Sequence, residues 1–471
     1  MNLFKYLLCF LFTWVFSQNL SAQNLLSRAS QKNNLPKGKN YFSPAKLTSG
    51  QKKPIFRFDF GPGKLEKGFT RIVASDHFSK DKGFGLISVG KIKDLASKNG
   101  DPLTSDGIAS NEPFYFEVDL TEGNYRVDLI MGDEKEITNT TVKAESRRLM
   151  LENVITAPGK YIKKSIIINV RTPIINGKDS IRRKSREYGF LNWDNKLTLE
   201  FNGKSPHLNA LEITKVTDKI GIFLAGNSTV VDQETEPWAS WGQMVTRFFG
   251  SEVVIQNYAE SGESLKSFKN ENRLKKVKSL MKPGDYLFIE FAHNDQKPGA
   301  NHVDAFTTYK EELRYFINVA HSKGGFPVLV TSMHRRRFDD AGKIINSLDG
   351  YPEAMRQTAR EENIPLIDLN AMSKILFETL GEKESKSAFV HFRANTYPNQ
   401  PEPWEDNTHF NNYGAYQLAK CIVMGIKKEI PALAIYLLEG LANYDPAHPD
   451  GVETWDFPAS PPVNPVKPTG N

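Results

Sequence analysis

Residues 221–233 read "GIFLAGNSTVVDQ", and their interpretation decides the fold of the second half of the chain. Residues 221–225 are a short apolar run, as expected of a strand buried on both faces. The polar Gly-Asn-Ser-Thr that follows sits where a strand of an α/β sheet hands over to a helix. A serine in that position has two readings. It can be a loop residue or helix N-cap. It can also be a nucleophile displayed at the carboxyl end of a strand. A lone Gly-x-Ser does not separate them, so the rest of the chain must.

Downstream of Thr217 the pattern repeats. The apolar runs "IGIFLAG", "VVIQNYA", "YLFIEFA", "FPVLVTS" and "IPLIDL" alternate with longer helical segments, including "DAFTTYKEELRYFINVAHSKG" and "NNYGAYQLAKCIVMGIKKEI". Strand–helix repetition predicts a parallel sheet covered on both faces over residues 217–442. Upstream, over residues 54–216, the period is two. "FYFEVDL", "NYRVDLIM", "RLMLENVI", "YIKKSIIINV" and "KLTLEF" alternate or run β-branched, punctuated by Gly and Asn, which predicts an antiparallel β-sandwich. Residues 24–53 read as a flexible leader. Residues 443–471 read as a Pro-rich tail that either drapes over a surface or stays disordered.

The chain has 471 residues, enough for two domains, with a formal net charge of +6. That charge is mild and no basic arm is present, so no nucleic-acid partner is expected. It favours acidic over basic partners. Residues 1–23 carry one lysine, an apolar run over 7–16 and small residues at Ser21 and Ala22, the layout of a cleavable signal peptide. The run is too short to span a membrane, so a secreted or periplasmic protein is expected. Cys9 lies inside that run. Cys421 would then be the only cysteine of the mature chain, and its apolar helical setting reads as core. The histidines lack metal-ligand spacing, and no metal or other cofactor is expected.

In an open parallel sheet, function gathers beyond the carboxyl ends of the strands. After the first strand stand Asn227, Ser228 and Thr229. After the second comes "NYAESGES", with Gly262. After the third comes "EFAHNDQ", with His293, Asn294 and Asp295. Late in the chain "WEDNTHFNNYGAY" places Asp406 and His409 at the opening of the last long helix. Together these hold what acyl transfer to water requires. A serine hydroxyl needs a base to take its proton, and His409 suits that role. Asp406, three residues earlier, can reach the far ring nitrogen and fix the tautomer. The backbone N–H groups of Ser228 and Gly262 and the amide of Asn294 can hold the oxyanion.

These blocks, in this order, resemble the SGNH (GDSL) hydrolases. "AGNSTVVDQ", "NYAESGESLKSF", "EFAHNDQ" and "DNTHFNNYGAYQLA" are similar to the rhamnogalacturonan acetylesterase branch. The resemblance covers about residues 218–440. It implies a three-layer α/β/α fold and metal-free ester hydrolysis. Ser228 would be nucleophile and oxyanion donor, Gly262 and Asn294 further donors, His409 the base and Asp406 its orienter. The chain departs from the pattern at Asn227, where Asp is usual, at Ala292, where glycine is frequent, and at Glu263, where the acetylesterases often have Arg. None of these removes a reacting atom. "FRFDFGPG" and "LTEGNYRVDLIMGD" make the sandwich similar to the galactose-binding-like domains that accompany bacterial carbohydrate esterases. Sugar binding and a purely structural role are both open for it.

The function expected is removal of O-acetyl groups from acetylated pectic polysaccharide or oligosaccharide of rhamnogalacturonan type. The alternatives are an SGNH hydrolase of another acetylated glycan or acyl ester, and a sugar-binding protein with an inactive hydrolase domain. Outside the core set, Trp404 is a candidate platform for a sugar face. His334, Arg335, Arg336 and Arg337 follow the fourth strand and are candidate contacts to substrate carboxylates. Trp238 and Trp241, at helical spacing, read as core, and His293 as a hydrogen-bonded structural group. Oligomeric state is not legible.

Overall fold

The computed structural model describes residues 53–88, 90–96, 100–440 and 443–461. The expected signal peptide and nearly all of the leader fall outside these residues.

Residues 56–216 fold into two facing five-stranded sheets, a three-stranded one and a two-stranded one. In one large sheet Gly123–Asp133 is flanked by Lys160–Val170 and Ala210–Val216. In the other Lys196–Ser205 lies between Phe114–Asp119 and Thr138–Ala144. The alternation seen in the sequence points Phe58, Phe60, Phe116, Val127, Leu129, Leu199 and Phe201 into one shared core. The expectation of a wholly antiparallel sandwich needs one correction. Phe56–Phe60 and Thr70–Ile72 pair in parallel. The connecting loop carries the chain back to the same end of the sheet, and the Asp59 carboxylate holds it by accepting from Glu66 N at 2.8 Å.

The five apolar runs downstream form one parallel sheet. Its spatial order is Val253–Asn257, Ile220–Gly226, Tyr286–Glu290, Phe326–Val330, Leu366–Ile367. Period-two alternation serves both faces. Ile222, Leu224, Ile255, Phe288 and Val330 pack against helix Asn412–Glu429. Phe223, Ala225, Leu287, Ile289 and Leu329 pack against helices Arg273–Leu280 and Thr308–Ser322. This is the three-layer α/β/α arrangement that the resemblance implies. Cys421, Trp238 and Trp241 are buried, and the two tryptophans sit beside and within a short helix, Trp241–Met244. No helix among the described residues is long and apolar enough to cross a membrane.

The two halves share a core. Leu149 of the sandwich packs into the cluster under helix Asn412–Glu429, and Ile175, Ile181 and Trp193 join the cluster on the opposite face. The tail over residues 443–461 drapes across both halves. Asp450 receives Lys420 Nζ at 2.7 Å, while Pro458 O receives Lys143 Nζ at 2.7 Å and Ser460 Oγ donates to Glu200 at 2.7 Å.

Candidate active site

Ser228 follows the first strand of the parallel sheet. The chain can turn there because Gly226 has no side chain. A Cβ at Gly226 would lie 2.5 Å from Val230 Cγ2. Asn227 closes the turn, its Oδ1 accepting from Thr229 N at 3.1 Å and its carbonyl from the N–H groups of Val230 and Val231 at 3.0 Å. Thr229 Oγ1 lies 2.9 Å from Asn227 Oδ1 and 2.8 Å from Glu290 Oε2. Burial raises the Glu290 carboxyl to about 7. An aspartate at position 227 would set a second buried carboxyl against this one, so the asparagine has a local electrostatic reason.

Asp406 and His409 were expected at the start of the last helix. They lie instead in strand Trp404–Phe410, and the helix begins only at Asn412, capped by Asn411. Phe389 pairs with Phe410 and Val390 with Asp406, so residues 407–409 bulge out of the ladder. Asp406 shapes that bulge by accepting from Thr408 N at 2.9 Å and His409 N at 3.0 Å through Oδ1. Its Oδ2 stands 2.8 Å from His409 Nδ1, and His409 Nε2 stands 2.9 Å from Ser228 Oγ. Burial would raise the Asp406 carboxyl. The hydrogen bond and charge of the His409 ring, with the two backbone N–H groups, outweigh it and hold the group well below the usual carboxylate range. A hydroxyl, an imidazole and an ionised carboxylate in series can move a proton off the hydroxyl.

Gly262 and Asn294 line one cleft with Lys184, Lys297 and the side-chain-poor stretch Pro298, Gly299 and Ala300. Gly262 has φ +82, the left-handed region that glycine enters without strain. Asn294 Nδ2 donates to Glu263 O at 3.0 Å. An amide carries two N–H bonds, so one hydrogen remains for a ligand.

Residues 224–416 match the GDSL-like Lipase/Acylhydrolase family, and residues 56–163 match the Beta-agarase/YXIM esterase-like, galactose-binding domain-like family. The chain is 44% identical over 211 residues to the rhamnogalacturonan acetylesterase RhgT of Bacillus subtilis, spanning 44% of this chain and 90% of that protein.

The chain belongs to the GDSL-like hydrolases.

It is also 27% identical over 391 residues to YxiM, an uncharacterized esterase of Bacillus subtilis, covering 80% of this chain and 91% of YxiM. The crystal structure of YxiM aligns with a TM-score of 0.41 at 26% identity, over 83% of this chain and 99% of that one. This GDSL-like hydrolase is a carboxylic-ester hydrolase with an N-terminal galactose-binding-like domain.

The remaining candidates separate by geometry. Arg336 is buried, with Nε donating to Ser385 Oγ at 3.1 Å and Nη1 to Asn407 Oδ1 at 3.0 Å. Arg335 is half-buried and donates to Ser347 O at 3.1 Å and His293 O at 3.3 Å. Arg337 is exposed. His334 is buried, and burial lowers its ring to about 4. Trp404 is flanked by Trp238, with centroids 4.7 Å apart, and by Tyr397 at 5.6 Å. His293 Nε2 bonds to Met333 O at 3.0 Å, and burial first, then the Arg335 charge, pushes its ring well below the ordinary value.

Sequence reasoning missed Lys184 and Lys297. Lys184 comes from the β-rich half, in the stretch between Asp179–Ser180 and strand Lys196–Ser205. Its ammonium pairs with Glu263 and donates to Ser261 O at 2.7 Å. Arg273 Nε lies 4.0 Å from the same Glu263, which explains how an acid is tolerated where arginine is frequent. Lys297 forms no ion pair among the described residues, and burial and the Arg335 charge lower its ammonium. Neither lysine had a sequence signal. Their place beside Gly262 and Asn294 exists only in three dimensions.

Proposed function

We propose that this esterase removes O-acetyl groups from acidic pectic polysaccharide of rhamnogalacturonan type, with Ser228 as nucleophile. The observation that carries the chemistry is the unbroken series from Asp406 Oδ2 to His409 to Ser228 Oγ, with contacts of 2.8 and 2.9 Å. In this reading Ser228 Oγ attacks the acetyl carbonyl carbon as its proton passes to His409 Nε2. The N–H groups of Ser228 and Gly262 and the Asn294 amide hold the resulting oxyanion. Collapse expels the sugar oxygen, which takes the proton back from His409 Nε2. Water then attacks the acetyl-enzyme with His409 as base, releasing acetate and restoring the serine.

RhgT, a rhamnogalacturonan acetylesterase by name, supports the substrate class. So does the cleft, where Lys184 and Lys297 stand beside Gly262 and Asn294. A rhamnogalacturonan backbone carries uronate carboxylates, and lysine ammonium groups attract them. A long acyl chain would instead want a wide apolar channel. Arg337, exposed past the fourth strand, and Arg335 remain candidate contacts, with half-buried Trp404 a candidate sugar contact. The signal-like N-terminus supports export to the periplasm or exterior.

The test is acetate release from acetylated rhamnogalacturonan, acetylated xylan and long-chain acyl esters, each with wild type and Ser228→Ala. Turnover of the acidic glycan, lost in Ser228→Ala, is the expected result. Activity confined to long acyl esters would overturn the substrate. Undiminished turnover in Ser228→Ala would overturn the mechanism.

A further inference from the structure

One of the contacts between the galactose-binding-like domain and the hydrolase is made by the turn over residues 144–148, which joins strand Thr138–Ala144 to strand Arg148–Thr156. Glu145 and Arg147 both have positive φ, at +54° and +62°. Such a backbone is costly for residues with a Cβ and persists only where its surroundings hold it. Here Thr198 O and Glu145 O hold it, accepting from Glu145 N at 2.9 Å and Arg147 N at 2.7 Å.

That turn aims Arg147 out of its own domain. Nη1 donates to Gln233 O at 3.2 Å and to Trp238 O at 2.9 Å. Nη2 donates to Asn412 Oδ1 at 3.0 Å and pairs with Glu236 Oε1 at 2.6 Å. Asn412 Nδ2 closes the ring by donating to Glu236 at 2.9 and 3.1 Å. Both charged side chains are buried, at 7% and 2% exposure, so their attraction is little screened.

The acceptors belong to two separate stretches of chain. Gln233, Glu236 and Trp238 follow Ser228, and Gln233 Nε2 donates back to Ser228 O at 2.7 Å. Asn412 stands three residues after His409. One guanidinium therefore touches both limbs that carry the reacting pair. Two neighbouring contacts reinforce the first limb: Arg148 Nε lies 3.2 Å from Asp232, and Ser146 Oγ bonds to Glu234.

We propose that Arg147 is a positioning residue of the ester-hydrolysing site, clamping the segment after Ser228 to the segment after His409 so that the accessory domain completes the hydrolase. The proposal rests on the roles of Ser228 and His409 given above. A planar guanidinium suits the task, because its donors sit on separate nitrogens of a fixed fork and span acceptors further apart than the single nitrogen of a lysine ammonium can. RhgT is matched over 90% of its length by 211 residues of this chain, which leaves no room in it for the β-rich domain. The clamp thus belongs to the two-domain chain.

The test uses the full chain with 4-nitrophenyl acetate, counting competent sites with a serine-directed phosphonate so that unfolded protein does not enter kcat. Arg147→Lys and Arg147→Met should lower kcat per titrated site by roughly a hundredfold, the scale of a small misplacement of reacting groups, with KM nearly unchanged. Added guanidinium ion at low concentration should restore part of the rate to Arg147→Ala and none to wild type. Full kcat per site in the folded Arg147 variants would overturn the proposal. If no Arg147 variant folds, Asn412→Ala decides. It leaves the Arg147–Glu236 pair in place and removes the link to the His409 limb, so a drop in kcat is expected, and a wild-type kcat would overturn the clamp. Undiminished turnover in Ser228→Ala is a different failure, because it removes the mechanism itself whatever Arg147 does.

Discussion

Arg336 donates from its backbone N–H to Asn407 O at 2.8 Å and from Nη1 to Asn407 Oδ1 at 3.0 Å. An arginine just past the fourth strand of the sheet thereby holds the bulge that carries His409. Its other contacts, to Ser385 Oγ and Glu382 O, anchor it to the end of helix Leu369–Glu384 and the turn beyond. Arg336→Met should cost about 2 kcal/mol of stability, the scale of losing hydrogen bonds to a charged donor. It should also lower kcat, because the bulge then loses the guanidinium and keeps only the backbone bond from residue 336 and the bond between His391 and Asn407. Denaturant unfolding and kcat on 4-nitrophenyl acetate check both, and an unchanged kcat would separate the brace from the chemistry.

Asp406→Asn should lower kcat by up to about four orders of magnitude, because an amide cannot hold His409 in the tautomer that presents a lone pair to Ser228. The same substitution should change acid stability. The folded Asp406 carboxyl lies below its ordinary value of 3.8, so it stabilises the fold above that pH and loses the contribution as pH falls toward the folded value. Thermal midpoints measured between pH 5 and pH 2 should fall more steeply in wild type than in Asp406→Asn.

Glu290 has the opposite sign. Burial lifts its carboxyl from 4.5 to about 7, so the folded state retains a proton that the unfolded state has released. Its contribution is full below the unfolded value and declines as pH rises to the folded one. Glu290→Gln keeps a neutral group beside Thr229 and removes that decline. The variant should therefore gain thermal stability relative to wild type at pH 8 but not at pH 4, by differential scanning calorimetry. Equal differences at both pH values would mean that Glu290 is ionised in the fold.

Asn294→Ala should lower kcat on acetylated glycan roughly a hundredfold or more with little change in KM, as for loss of one oxyanion donor. A change confined to KM would make Asn294 a ground-state contact through the hydrogen that Glu263 O does not take.

Lys297→Ala should reduce kcat/KM for acetylated rhamnogalacturonan and leave a small neutral acetate ester unaffected. The loss should shrink with added salt, because charges in a cleft open to solvent are screened over about 10 Å at ~0.1 M. Arg337→Ala in parallel compares the cleft lysine with the exposed arginine. Equal losses on both substrates in Lys297→Ala would give that residue a structural role instead.

The sequence by itself determined the layers and singled out the candidate reacting groups. Five apolar runs at strand length, separated by helical segments, admit little besides a covered parallel sheet, because hydrophobic period is a local property. Ser228, Gly262 and Asn294 stand just beyond strand ends, and Asp406 and His409 share one short polar stretch of sequence, so adjacent residues were enough to single them out as candidates. What it could not show was held in place by distant partners. The bulge that puts Asp406 and His409 in a strand depends on Arg336 and on pairing with Phe389 and Val390. The reach of Arg147 depends on a turn more than eighty residues before Gln233. Burial decided the fate of the arginine run, taking Arg336 into the framework while Arg337 stayed exposed. A side chain's charge is written in the sequence, but its partner is chosen by whichever backbone the fold brings within hydrogen-bonding distance, and in a low-dielectric interior that choice sets what the group can do.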